Sequence, residues 1–308
     1  MHIAVLTHNY PRFPGDFSGT FVAALSQELV RQGVQVGVLA PWDPAYRGEV
    51  ETAGSDASQP TLWRYAPRDD WHRLGYMRTM EADVRMRGET YWLAPAFFAA
   101  GTAAALRWCR HFRPDVIHAH WLLPNGFFGA VASRVLDIPL VVSIPGSDAL
   151  VAQQNPLFRR MARFTLDQAS LITANSHALR DVAVDRLGAD PRRFDLIIYG
   201  VDPAALHPDD RGTASLRSEL GAGPDDLLLL AVGRMVHKKG FDVLLRALAL
   251  IEGSGLSGLD AGRAGQPRLA SLRLALVGDG DLWQEWQAPF HQRPRTGLNY
   301  STIQPNLT

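Results

Sequence analysis

At 308 residues, 46% apolar and 20% charged, the chain is long enough for about two domains with sizeable cores and too apolar to be disordered. Its 31 Lys+Arg balance 31 Asp+Glu, which excludes a global attraction to nucleic acid, and a lone cysteine, Cys109, excludes an intrachain disulfide framework and fits a reducing, cytoplasmic setting. The start, MHIAVLTHNYP, carries no basic leader, and the longest run free of Asp, Glu, Lys, Arg and His, residues 90–106, falls short of a membrane span, so a soluble protein is expected.

Residues 2–7 read as a short apolar strand entering a Pro- and Gly-rich loop, HNYPRFPGDFSGT. Phe21, Val22, Leu25, Leu29 and Val30 then recur at helical spacing up to Gly33, and residues 34–39 form the next strand. This βαβ opening predicts a layered α/β fold with a parallel sheet. The first loop lacks the GxGxxG dinucleotide fingerprint, which disfavours an NAD-dependent oxidoreductase. Gly19, just before the helix, would let a ligand approach the backbone; a plain turn glycine accounts for it equally well.

Residues 47–60 are a Gly/Ser/Asp loop without periodicity. Residues 62–92 interleave Trp63, Tyr65, Trp71, Tyr76, Tyr91 and Trp92 with six arginines, a pattern that suits an anionic acceptor or a membrane surface. Asp69, Asp70, Glu81, Asp83 and Glu89 lie among them, so a mixed, solvated surface over a few core aromatics is the better reading. A long helix over 94–112 precedes a strand at 115–118 and the run DVIHAHW. His118 and His120, two apart at a strand's carboxyl end, can point the same way. No Cys or carboxylate nearby completes a metal set, so they read as hydrogen-bonding groups at the mouth of a cleft.

A helix near 126–136 leads to a buried strand at 139–144 and the loop PGSD, residues 145–148. A strand at 171–174 runs into Asn175 and Ser176, either of which can cap the following helix. Residues 196–199 are the last strand of this half, and a Pro- and Asp-bearing stretch up to Gly223 fits a domain boundary.

In residues 227–242, LLLLAVGRMVHKKGFD, six apolar residues read as a strand buried on both faces, followed by a loop and a helix over 241–251. The loop carries Arg234, His237, Lys238 and Lys239 against the positive end of the helix dipole. Cations there cost roughly 0.3–1 kcal/mol each, which Asp242 offsets only in part. A bound anion, held by backbone N–H groups and side-chain donors, explains the arrangement better than a solvated surface loop does. A Gly-rich insertion at 252–267, a strand at 272–277, Gly278 and Gly280, and a helix starting near Asp281 follow; residues 287–308 show neither helical nor strand periodicity.

The order of these motifs resembles glycosyltransferase family 4. The resemblance runs from Ile3 to about Trp286 and rests on the glycine-bearing first loop, DVIHAHW, PGSD, ANS at 174–176, YGVD at 199–202, GRMVHKKG at 233–240 and VGDGD at 277–281. It implies a GT-B-like architecture of two Rossmann-like domains and a retaining, metal-independent transfer from a nucleotide sugar, which serves as co-substrate with no further cofactor. It implies that Arg234 and Lys239 meet the donor diphosphate, that Gly233, Gly278, Gly280 and Gly19 let the donor lie close to the backbone, and that Asp148 matches a catalytic-loop position. His118, His120, Asn175 and Ser176 fall on the acceptor side. The acceptor it implies is a sugar, a lipid-linked molecule or a small molecule, with weak membrane association if lipid-linked.

Two departures stand out. Family members usually carry histidine where this chain has Pro145, and proline offers no side-chain hydrogen bond. The later E-x7-E element has no counterpart, since Glu285 is the last glutamate. The expectation is therefore a complete acceptor-side domain over 1–205, a truncated donor domain over 206–286 whose Leu228, Leu230, Leu274 and Leu276 sit on a sheet with an unpaired edge, and an irregular tail over 287–308. Two other functions compete with a transferase: a non-catalytic acceptor- or partner-binding α/β module, and a GT-B sugar-nucleotide epimerase.

Overall fold

A computed structural model describes residues 1–48, 59–76, 80–81, 85–86, 92–146, 148–153, 155–201, 203, 207–208, 210–223, 226–253, 272–278, 280, 282 and 298–303. The chain divides into two compact units, Met1–Gly200 and Val201–Thr308.

The first unit is built on β1 (His2–Leu6), α1 (Thr20–Arg31), β2 (Gln35–Pro41) and β3 (Thr61–Trp63). A two-residue antiparallel pair, β4 (Met80–Glu81) and β5 (Arg85–Met86), precedes α2 (Ala94–Phe112). Then come β6 (Val116–His120), α3 (Phe127–Leu136), β7 (Leu140–Ile144), α4 (Asp148–Ala152), α5 (Pro156–Gln168), β8 (Leu171–Ala174), α6 (His177–Leu187) and β9 (Phe194–Leu196). Seven strands form one parallel sheet in the order β3-β2-β1-β6-β7-β8-β9. Strand order reverses direction between β1 and β6, the switch point outside which α/β sheets place their ligands.

Alternation explains why the strands read as continuous apolar runs. On β1, Ala4 and Leu6 join one core cluster with Ile117, Leu140, Val142, Ile172 and the α2–α3 side chains Phe97, Ala105 and Phe128. Ile3 and Val5 join the other, with Val22 of α1 and Val36 and Val38 of β2. Both faces are covered, as a parallel sheet requires.

Most elements fall where periodicity puts them, with informative exceptions. β6 runs to His120, two residues past the expected end, because its ladder with β7 continues to His120↔Ser143. β9 comes earlier than 196–199: the Ile197 N–H still donates to Ala174 O at 2.9 Å, but Ile198 is 74% exposed and lies outside the ladder. In the aromatic–arginine stretch Trp63, Tyr65 and Tyr76 are buried, while Arg64 pairs with Asp69 and Arg68 with Asp70 at the surface, so the mixed-surface reading holds over the described part.

The second unit contains α7 (Asp210–Glu219), β10 (Leu227–Val232), α8 (Phe241–Gly253), β11 (Leu272–Val277) and β12 (Leu298–Ile303). Its sheet is parallel, in the order β10-β11-β12. Two expectations are corrected. β10 is not buried on both faces: Leu229 and Ala231 pack toward Phe241 and Leu248, but Leu230 and Val232 are 61% and 68% exposed. The four leucines do share one sheet, Leu228 and Leu230 on its edge strand β10 and the buried Leu274 and Leu276 on its central strand. Within 287–308 a strand pairs from Leu272↔Leu298 to Val277↔Ile303; Tyr300, Thr302 and Ile303 supply β-propensity without the alternation a sequence reading looks for. Residues 49–58, the insertion at 254–267 and the start of the helix expected near Asp281 lie outside the described residues.

Candidate functional site

In the first unit the chemistry-bearing side chains gather at the carboxyl ends of β1, β6, β7 and β8. β6 carries His118 and His120 with ring centroids 4.3 Å apart, as their spacing predicts. His118 Nε2 lies 2.8 Å from Ser143 Oγ, which lies 2.7 Å from Thr173 Oγ1, so one hydrogen-bonded chain crosses β6, β7 and β8. His120 is fully buried and neither ring nitrogen has a hydrogen-bond partner among the described residues. Burial pushes His118 down to about 4 and His120 well below the usual histidine range, the neighbouring His118 adding to the latter, so both rings are neutral near pH 7.

The loop after β1 brings in His8, which burial lowers to about 4. Asn125, from the turn after β6, donates from Nδ2 to His120 O and to His8 Nδ1, each at 2.8 Å. Sequence reading missed both residues. His8 lay one position past an assigned strand, and nothing local marks Asn125 as its partner across 117 positions of chain.

Trp121, just after β6, sits at φ 70, ψ 136, a conformation costing a non-glycine residue about 1–3 kcal/mol. Its indole lies 4.4 Å from the His8 ring and 5.4 Å from Phe21, which stacks at 4.9 Å on Tyr199. Asp148, the first residue of α4, accepts the Leu122 N–H at Oδ2 (2.5 Å), while Oδ1 is buried without a partner among the described residues. Burial drives its carboxyl up to about 7, although backbone N–H groups at Leu122, Asp148, Ala149 and Gly146 favour the ionised form. Buried polar atoms without a partner among the described residues are unusual in a folded interior, and each calls for an explanation.

The remaining residues expected in this half serve the backbone. Asn175 Nδ2 donates to Pro145 O at 2.9 Å, tying the PGSD loop to the end of β8. Ser176 Oγ accepts from Leu179 N and caps α6. Gly19 precedes α1 in the left-handed region (φ 66), and a Cβ there would lie 2.1 Å from Asn9 O. The chain's own backbone, with no ligand needed, demands glycine at this position. Arg12 stiffens the same loop: Nε meets Asp16 Oδ2 at 2.6 Å and Nη1 meets Asp43 Oδ1 at 3.1 Å, all largely buried.

In the second unit the loop after β10 passes through Gly233 and Arg234, makes a 3-10 turn at His237–Lys239 and reaches α8 through Gly240 (φ 70). The loop after β11 packs directly on it. Gly233 N donates to Val277 O at 2.9 Å, and a Cβ on Gly278 would stand 1.9 Å from Gly233 O. Gly280 is likewise closed in by the Met235 backbone: a Cβ there would stand 2.6 Å from Met235 O. Gly233, Gly278 and Gly280 are thus brought together next to Arg234, while Lys239 lies in the 3-10 turn that closes the same loop. Arg234 is half-buried and Lys239 exposed.

Among the described residues no three His, Cys, Asp or Glu side chains gather as a metal site needs, and no helix is long and apolar enough to cross a membrane.

The model of Glycosyltransferase Family 4 matches residues 18–205. A Bacillus subtilis (strain 168) protein named for teichuronic acid biosynthesis as the glycosyltransferase TuaC is 26% identical over 257 residues, 82% of this chain and 64% of its own. A D-inositol 3-phosphate glycosyltransferase of Nocardioides sp. (strain ATCC BAA-499 / JS614) is 35% identical over 145 residues, 44% of this chain and 31% of its own. The chain therefore spans between about a third and two thirds of these relatives' length. Among solved structures, Anabaena Alr3699/HepE in complex with UDP and glucose superposes with a TM-score of 0.60 at 19% identity, over 99% of this chain and 70% of that one, a likeness of fold.

Proposed function

The chain belongs to glycosyltransferase family 4, and on that premise we propose that it forms the greater part of an enzyme moving a glycosyl group, with retention and without a metal, from a nucleotide sugar to an acceptor. The observation that carries this reading is the paired loop of the second unit, in which Gly278 and Gly280 press against the Gly233–Met235 backbone of the same loop that carries Arg234 and, in its closing turn, Lys239. Close glycine backbones with flanking cations suit a diphosphate. Cleaving the sugar–phosphate bond leaves charge on the departing diphosphate, and fixed cations stabilise that charge as it develops. Arg234 is assigned to orienting the diphosphate and Lys239 to stabilising the leaving group. The curated relatives are named as glycosyltransferases, and the Anabaena structure is a complex with UDP and glucose.

The test is calorimetric titration of the purified chain with UDP, GDP and ADP, beside Lys239→Ala. Saturable binding of one nucleotide, weakened about 10- to 150-fold by loss of a charge-assisted contact, is expected. No binding by a folded chain would overturn the reading. It would favour the second one, a non-catalytic binding module, which rests on the family match ending at residue 205.

A further inference from the structure

Trp121 holds a backbone conformation that a side chain rarely adopts, so its surroundings must impose it. Three hydrogen bonds do so. Trp121 N–H donates to Ser143 O at 2.9 Å, Gly126 N–H donates to Trp121 O at 3.0 Å, and Leu122 N–H donates to Asp148 Oδ2 at 2.5 Å. Only the last comes from a side chain, and it reaches in from the loop after β7. The consequence is geometric. The indole is held against His8 and Phe21, and Phe21 stacks on Tyr199, so rings from four separate chain segments meet at the carboxyl end of the sheet. Trp121, Phe21 and Tyr199 are all half-buried, which leaves aromatic surface open beside the buried His120 and its half-buried neighbour His118.

We propose that Asp148 is a positioning residue, not a catalytic one: by accepting the Leu122 N–H it holds Trp121 in an aromatic group with Phe21 and Tyr199, and that group receives the apolar face of a pyranose ring in the acceptor. The first half stands on geometry alone; the second rests on the transferase reading above. A carboxylate committed to a backbone N–H fixes a turn, whereas an aromatic group matches a sugar's C–H face and leaves the choice of hydroxyl partners to nearby polar atoms.

The full chain, labelled with 5-fluorotryptophan, gives one fluorine resonance for each of its 8 tryptophans, and Trp121→Phe assigns the one from Trp121. Asp148→Ala is expected to displace that resonance while the others hold. Asp148→Asn, whose carboxamide oxygen still accepts the Leu122 N–H, is expected to leave it in place. A Trp121 resonance unmoved in Asp148→Ala, or moved as far in Asp148→Asn, overturns the positioning role. Should Asp148→Ala fail to fold, the Asn variant alone decides. Methyl glucopyranoside and methyl mannopyranoside, but not glycerol, should then shift the wild-type Trp121 resonance, and Phe21→Ala should abolish the response. If the chain binds a nucleotide and neither pyranoside moves Trp121, the sugar platform is overturned while the donor reading stands. A chain that binds no nucleotide but shows the pyranoside response keeps the platform and overturns the donor reading.

Discussion

Replacing Gly19 by alanine separates the two explanations its sequence position leaves open. The left-handed backbone (φ 66) costs a side-chain-bearing residue about 1–2 kcal/mol. The new Cβ would stand 2.1 Å from Asn9 O, against the 3.0 Å that real Cβ atoms keep, so the contact must open by about 0.9 Å. Asn9 O cannot simply yield, because Thr7 Oγ1 donates to it at 2.7 Å, nor can the helix start, because Val22 N and Ala23 N donate to Gly19 O. Forcing atoms into a packed site adds about 1–3 kcal/mol, giving a total near 3 kcal/mol. For a unit of this size that lowers the melting temperature by about 6–12 °C. Gly15→Ala is the internal control: it shares the left-handed backbone (φ 82), but its Cβ would meet nothing within 4 Å, so only the conformational cost, about 2–8 °C, applies. The assay is thermal unfolding followed by circular dichroism on both variants. Equal melting temperatures for the two would refute the clash argument and return Gly19 to the ligand-facing reading.

Arg12→Met should destabilise the first unit by about 3–5 kcal/mol in urea titration, since it strands the carboxylates of Asp16 and Asp43 in a buried setting; a loss under 1 kcal/mol would show them solvated. The pH dependence of stability carries opposing contributions. His8 and His118, lowered to about 4, bind protons only when unfolded between pH 4 and 6.5, so their contribution to stability rises with pH across that window. Asp148, raised to about 7 from 3.8, keeps its proton only when folded, so its contribution is full below about pH 4 and is lost as pH rises toward 7. Asp148→Asn should therefore steepen the rise of stability between pH 4 and 6.5, by at most about 1.4 kcal/mol per pH unit; an unchanged slope in urea titrations at several pH values would place the carboxyl in contact with water. Cys109, buried in α2 with its thiol pushed up to about 12, should react with a disulfide reagent only as fast as the first unit opens, and labelling as rapid as that of a free thiol would contradict its burial.

What could be read from the sequence follows from how locally each feature is encoded. β7, β8 and α2 were placed to within a residue because their side chains are apolar on every buried face and their ends carry Pro, Asn or Ser signals. α7 was missed because its ten residues, DRGTASLRSE, have almost no apolar stripe. β3 is three residues long, too short for any period to register. In the candidate site, the spacing of His118 and His120 sufficed to pair them, because a two-residue period is a property of one strand. The Asn125–His8 bond, the Asp148–Leu122 bond and the Phe21–Tyr199 stack each join segments far apart in the chain, so no local pattern announces them. Arg234 and Lys239 are singled out twice in the sequence, as charge crowded against a helix start and as part of a resemblance in motif order.

The chain of hydroxyls and imidazole across β6, β7 and β8 bears on how this sheet assembles correctly. Strands coated with Val, Ile, Leu and Ala on both faces give little penalty for sliding one residue along a neighbour, since one apolar side chain replaces another. Ser143 sits opposite Thr173 and within reach of His118, and a slip by one position would turn Ser143 to the opposite face and strand three polar groups in the interior at once. The trio thus works like a notch in an otherwise smooth key: it adds little to the depth of the native minimum, but it raises the misaligned pairings well above it.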